Sequence, residues 1–163
     1  MTKTLDLGNG INAFIDDDDL EKCSAFRWRI HTGACGLQYA EARVGHGILL
    51  HRFLLDLKDR NQLVDHIDGN GLNCVRSNMR ITDDVGNGMN KRKRVDSKQP
   101  YKGIYPGKRY GWQAQLMANG KRYYAYGRTA EEAARKYDDL ARIHHGEYAR
   151  LNFPDVGDQG ADR

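Results

Sequence analysis

The chain has 163 residues, of which 29% are charged and 39% hydrophobic, enough for one medium domain or two small ones with modest cores. No apolar run approaches the roughly 18 residues needed to cross a bilayer. Met1-Thr2-Lys3-Thr4 lead into patterned sequence without the apolar core of a signal peptide, so a cytoplasmic chain is expected and a membrane partner is not. Cys23, Cys35 and Cys74 are odd in number and include no C-x-x-C pair, which argues for buried free thiols against a disulfide framework or zinc ribbon.

The net charge is only +4, but it is unevenly spread. Residues 91–128 carry eleven basic side chains and one acid, Asp96, leaving the rest of the chain at about −6, with Asp16 to Asp19 among its acids. A local field of this size suits a polyanion, because each neutralised phosphate releases condensed counterions. A solvated basic surface with no partner would carry the same charge.

Along the chain, Ile11, Ala13 and Ile15 alternate with polar neighbours, and Phe26 to Ile30 and Leu37 to Val44 read as strands. Thr32 to Gly36 supplies a turn between them. Ile48 to Leu57 is an apolar run with helical spacings. Leu63-Val64 and Met79-Arg80-Ile81 read as two short strands around a loop rich in Asp, Gly and Asn. Thr82 is a candidate N-cap for a helix to about Arg94, which would set Lys91, Arg92, Lys93 and Arg94 at a helix C-terminus, where the dipole favours cations. Val95 to Pro100 reads as a linker. Beyond it, Asn119-Gly120 marks a hairpin, Thr129-Ala130-Glu131-Glu132 a capping box, and Ala130, Ala133, Ala134, Tyr137, Leu140 and Ala141 an apolar helical stripe stopped by Gly146. His144 and His145 diverge on such a helix and make no metal pair. Residues 155–163 read as a frayed tail.

Chemistry concentrates in Val64-Asp65-His66-Ile67-Asp68-Gly69-Asn70. Hydrolysis of a phosphodiester needs a base for water and a cation for the developing charge. A histidine suits the first role at neutral pH, and Asp or Asn oxygens suit Mg²⁺. Neighbouring residues face opposite sides of a strand, so Asp65 and His66 can serve one substrate only where the strand ends or bends, as the following loop allows. A lone Asp-His pair is as readily a salt bridge or turn cap. The downstream Asn73, Arg76, Asn78-Met79-Arg80, Thr82, Asn87 and Asn90 give it context.

With these residues, positions 63–90 resemble the HNH endonuclease family in the form found in phage and intron homing enzymes, and Leu50-His51-Arg52 matches a Leu-His-Arg that the family tends to show upstream. Met79 stands where the family has Leu and Gly86 where Gln is usual. The resemblance implies a ββα-metal fold in which Asp65 and Asn87 ligate one divalent ion, Mg²⁺ or Mn²⁺. It implies that His66 is the general base and that Asn78 orients its ring by a hydrogen bond. Water attack would leave a 5′-phosphate and a 3′-hydroxyl. The role of His51 stays open between packing, a phosphate contact and catalysis.

Tyr101-Lys102-Gly103-Ile104, Trp112-Gln113-Ala114, Thr129 to Ala134, Tyr137-Asp138, Gly146 to Ala149 and Leu151 to Pro154 resemble the plant ethylene-response-factor (Apetala-two) DNA-binding domain. That family lays a three-stranded sheet into the major groove with a helix behind. Period-two alternation puts Trp112, Ala114 and Leu116 inward, and Gln113, Gln115 and Met117 outward with Tyr105, Arg122 and Tyr124. The predicted DNA contacts are Lys91, Arg92, Lys93, Arg94, Lys102, Tyr105, Lys108, Arg109, Gln113, Gln115, Arg122 and Tyr124.

The expectation is an α+β chain in four parts. Residues 1–94 form the HNH nuclease domain with a β-rich extension, its core at about 61–94. A basic linker spans 95–100, residues 101–154 form a three-stranded antiparallel sheet packed on one helix, and 155–163 are a tail. The expected activity is cleavage of double-stranded DNA by a monomer of the phage homing type in the cytoplasm of an infected bacterium, with no protein partner implied. A non-enzymatic, sequence-specific DNA-binding protein, an RNA-binding module and a less specific phage nuclease are the rivals.

Overall fold

The computed structural model describes residues 1–33, 36–59, 61–93, 97–107 and 111–154, which form two compact units, Met1–Asp84 and Val85–Arg163. Cys35, Arg94, Lys108 and Arg109 lie outside the described residues, as do Val95 and Asp96 of the predicted linker and the predicted tail.

In the first unit, β1 (Thr2–Asp6) and β2 (Asn12–Asp16) form an antiparallel hairpin with Leu5 opposite Ala13. Alternation along β2 buries Ala13 and Ile15 and leaves Phe14 39% exposed. After a short helix, α1 (Leu20–Ser24), the strands β3 (Trp28–Thr32), β4 (Gln38–Ala42) and β5 (Ile48–Leu49) make a three-stranded antiparallel sheet. Helix α2 (Leu50–Leu54) follows directly. The apolar run from Ile48 is therefore a strand end and a little over one helical turn, not one helix to Leu57. Asp56 takes a positive φ of 50° two residues past α2, and Arg52 donates to the carbonyls of Leu57, Asp59 and Gln62, turning the chain back. Strands β6 (Leu63–His66) and β7 (Met79–Thr82) pair antiparallel, with Asp65 opposite Arg80 and His66 opposite Met79. The core runs through Leu5, Ala13, Ile15, Cys23, Trp28, Ala42, Leu50, Leu54, Cys74 and Met79. Cys23 and Cys74 are buried free thiols, as expected.

Helix α3 (Asp84–Met89) is six residues long. The predicted helix from Thr82 to about Arg94 is thus corrected at both ends: Thr82 closes β7, and Lys91 to Lys93 lie past the helix in irregular, exposed chain. Gly86 and Gly88 explain the short run, since each costs a helix about 1 kcal/mol against alanine.

In the second unit, β8 (Ile104–Pro106), β9 (Trp112–Ala118) and β10 (Lys121–Gly127) form an antiparallel sheet ordered β10-β9-β8. Asn119 and Gly120, both at positive φ, make the predicted β9–β10 turn. Helix α4 (Ala130–His145) starts at Thr129, whose hydroxyl accepts from Glu132 N at 3.1 Å. Its Ala133, Ala134, Tyr137 and Ala141 pack on Ile104, Ala114, Leu116 and Ala118. His144 stacks on Tyr123, and the ring of His145 bonds the Met117 carbonyl at 2.9 Å, so both histidines are structural. No helix among the described residues is long and apolar enough to cross a membrane.

Asp138 on α4 is 2% exposed, and its carboxylate accepts from the backbone of Asn152 and Phe153, each at 2.8 Å. Asn152 in turn bridges to both backbone groups of Lys102. One buried carboxylate therefore ties the segment at Asn152 and Phe153, and through Asn152 the backbone of Lys102, to the helix. Hydrogen bonds to an ionised group contribute about 1.5–3 kcal/mol each and leave unsatisfied donors when removed. Asp138→Ala should lower the stability of this unit by about 3 kcal/mol, read from Trp112 fluorescence in urea in a Trp28→Phe background.

Candidate active site

Strand β6 ends on the two residues the sequence singled out, and both are buried: Asp65 is 5% and His66 6% exposed. Side chains alternate across a strand, and the contacts follow that alternation. Asp65 shares its face with Arg80, directly across on β7, whose Nε and Nη2 donate to Asp65 Oδ2 at 2.9 and 2.6 Å. His66 packs with Tyr39, His51 and Cys74. Its Nε2 lies 3.9 Å from Cys74 Sγ, and its ring meets that of His51 edge-on at 5.2 Å between centroids. Tyr39 lies 5.6 Å from the His51 ring and 6.2 Å from that of His66.

The loop after His66 is held by its own polar side chains. Gly69 N donates to the His66 carbonyl, which closes a turn immediately after the strand. Asp68, 6% exposed, accepts from Asn70 N at 2.8 Å, Asn73 Nδ2 at 2.8 Å and Asn78 Nδ2 at 3.0 Å. Asn78 also accepts from Asp68 N through Oδ1 and from Ile67 N through its carbonyl, and it donates to the Asn73 carbonyl. These bonds fix the backbone on both sides of Ile67, next to the histidine. At Gly71 the loop runs so close to β4 that a Cβ would stand 2.4 Å from the Gln38 carbonyl and 2.6 Å from the Tyr39 ring. No side chain fits there, and glycine lets Tyr39 reach the histidines.

The residues before the motif brace it. Phe14 on β2 exchanges backbone bonds of 2.8 Å with Leu72 and Cys74. Arg76 donates to Asp19 from Nε at 3.0 Å and Nη2 at 2.7 Å, and its backbone N donates to Asp16 at 2.8 Å. Part of the acidic run at Asp16 to Asp19 thus anchors the loop that carries Asn78.

His51 is the residue that sequence reasoning left without a role. It is 6% exposed, and its Nδ1 is buried with no hydrogen-bond partner among the described residues. Burial, reinforced by His66 and Arg52, pushes its pKa down to about 3. Burial also lowers the pKa of His66, against the carboxylates of Asp68 and Asp65, which raise it. Both rings are therefore neutral at pH 7.

Asn87, the second predicted metal ligand, lies on α3 in the other unit. Among the described residues there is no cluster of three or more His, Cys, Asp and Glu side chains of the kind that holds a metal. Of the predicted DNA contacts, Lys91, Arg92 and Lys93 are exposed. Lys102 is not a free surface cation: its Nζ donates to the Met89 carbonyl at 2.7 Å, and burial lowers its pKa to about 8. Tyr105, Gln113, Gln115, Arg122 and Tyr124 share the sheet face opposite α4, as alternation predicted. Tyr126, 62% exposed and opposite Gln113, belongs to the same face. The same period-two rule, carried from Arg122 through Tyr124, would have found it.

The low His51 pKa has a measurable consequence. The unfolded chain takes a proton at this histidine near pH 6.5 that the folded chain refuses until about pH 3. Stability from this source is complete above pH 6.5 and falls as pH drops below it, by up to about 1.4 kcal/mol per pH unit. Urea midpoints followed by Trp28 in a Trp112→Phe background should fall between pH 6.5 and 5, and His51→Asn should flatten that slope.

No protein-family profile and no solved structure matches the chain. It is similar to a protein of Acanthamoeba polyphaga mimivirus named "Uncharacterized HNH endonuclease L560", with 28% identity over 151 residues, covering 89% of this chain and 76% of that protein. The likeness spans nearly the whole chain and supports a nuclease of the HNH kind.

Proposed function

We propose that the chain hydrolyses phosphodiester bonds in double-stranded DNA, with the reaction centred on His66. The observation that carries this reading is a buried imidazole, kept neutral by burial, on the last residue of a strand whose preceding residue, Asp65, faces the other side. A neutral imidazole can take a proton from an attacking water, a role worth about 10²–10⁴ in rate. Asn78, expected to orient the His66 ring by a direct hydrogen bond, spends its amide on Asp68 and the Asn73 carbonyl instead, so it would act as a positioning residue that holds the turn at the end of β6. Tyr39, His51 and Cys74 pack around the imidazole and limit its rotation.

Asp65 and Asn87 would hold one divalent ion, Mg²⁺ or Mn²⁺. The donor chemistry fits, because a carboxylate and an amide carbonyl are hard oxygen ligands; Arg80 already binds one Asp65 oxygen and would share that carboxylate with the ion. When bound, such an ion stabilises charge on the phosphorane and on the leaving oxygen. In-line water attack leaves a 5′-phosphate and a 3′-hydroxyl.

The second unit would place the enzyme on DNA, with the outward sheet face as the contact surface and Lys91 to Lys93 on phosphates. The nuclease motif followed by a unit resembling the ethylene-response-factor domain supports a homing role of the phage type, acting as a monomer in the host cytoplasm. One observation favours a second reading. The Arg80–Asp65 pair neutralises the carboxylate a metal would need, as would suit a DNA-binding protein without catalysis.

Supercoiled plasmid decides between them. With Mg²⁺ the native chain should nick it, EDTA should abolish nicking, and His66→Ala should slow it by at least about 100-fold with an unchanged circular-dichroism spectrum. Unchanged cleavage by His66→Ala would remove the assigned base. Plasmid binding without cleavage would establish the second reading.

A further inference from the structure

The second unit leaves one sheet face outward, and its composition is unusual for a solvated surface. Opposite α4, the strand register sets Tyr105, Gln113 and Tyr126 in one row across the three strands. Gln115 with Tyr124, and Met117 with Arg122, make the next two rows. Tyr105, Met117, Tyr124 and Tyr126 are 48%, 51%, 46% and 62% exposed. Four large apolar side chains in one patch mark an interaction surface, and the amides between them give it polar groups of fixed direction.

The chemistry of these seven residues selects among base pairs. A glutamine amide presents a donor and an acceptor side by side, the complement of adenine N6 and N7 in the major groove. Exposed tyrosine and methionine surface suits the thymine C5 methyl, the one apolar group on that groove's floor. Guanine is read by arginine or lysine at O6 and N7, and cytosine by a carboxylate at N4. The described residues of this face include one guanidinium, at its edge, and no carboxylate. We propose that this face reads A·T pairs, with Gln113 and Gln115 on adenine and Tyr105, Tyr124, Tyr126 and Met117 against thymine methyl groups. The inference rests on the proposed DNA binding by this unit and adds its base preference.

Fluorescence anisotropy with the full chain in EDTA, which blocks metal-dependent cleavage during the measurement, tests it with four probes of equal length. These are an A·T-rich duplex, a G·C-rich duplex, the A·T duplex with uracil replacing thymine, and the A·T strand alone. The A·T duplex should bind on the order of tenfold tighter than the G·C duplex. Uracil, which lacks only the methyl, should weaken binding several-fold, about as expected for a lost apolar contact. Gln113→Ala and Tyr126→Ala should each shrink the ratio of A·T to G·C affinity, with Trp112 fluorescence reporting that the unit is folded. Equal affinity for both duplexes, no effect of uracil, or tighter binding to the single strand overturns the base preference and leaves DNA binding standing. Failure to bind any duplex overturns DNA binding by this unit, and the preference with it.

Discussion

The carboxylate of Asp68 is the point on which the geometry of the first unit turns. Buried and ionisable, it is stable there because three N–H groups, from Asn70, Asn73 and Asn78, point at it. Those bonds convert a loop of glycines and asparagines, which would otherwise be among the most flexible stretches of the chain, into a rigid return from β6 to β7. The ends of the two strands are then fixed, and with them the directions of Asp65 and His66. The catalytic role proposed for His66 depends on such a clamp, because the strand itself imposes no orientation beyond its last residue.

The segment before the motif gains a function from this arrangement. Its hairpin lends two backbone bonds to the loop, and Asp16 and Asp19 hold Arg76, so a region with no chemical motif of its own supplies rigidity to the one that has it. Helix α2 contributes in three directions at once: Leu50 to the core, His51 to the imidazole of His66, and Arg52 to the loop leading into β6. In the second unit Asp138 plays a part like that of Asp68, a buried acceptor that gathers chain ends rather than a site.

What could be read in the sequence was whatever depends on near neighbours. The Asn119-Gly120 turn, the capping at Thr129, the inward and outward alternation of β9 and the loop after His66 all follow from local spacing. What could not be read depends on contacts across long stretches of chain. The Arg76–Asp19 pair spans 57 positions and Lys22 to Phe53 spans 31, and nothing in either segment alone announces the other. His51 falls in the same class: an apolar helix turn hides a histidine whose meaning comes only from the ring beside it. The overlong helix after β7 has a different cause: the expectation rests on Thr82 as a cap and the basic cluster as a C-terminus, and Gly86 and Gly88 weaken the helix between them.

In the second unit the core is built on α4 and one sheet face, which leaves the opposite face for the proposed DNA contact. That division of labour would separate stability from specificity, much as the Asp68 clamp is distinct from the packing around His66 in the first unit. Hydrolysis centred on His66 is the central proposal, and the chemistry of the cut ends tests it most directly. Plasmid treated with the chain and Mg²⁺, then with DNA ligase, should first relax to the open circle and then be resealed, because water attack leaves a 5′-phosphate beside a 3′-hydroxyl. Open circles that ligase cannot close, or plasmid that is bound yet never nicked, would contradict it.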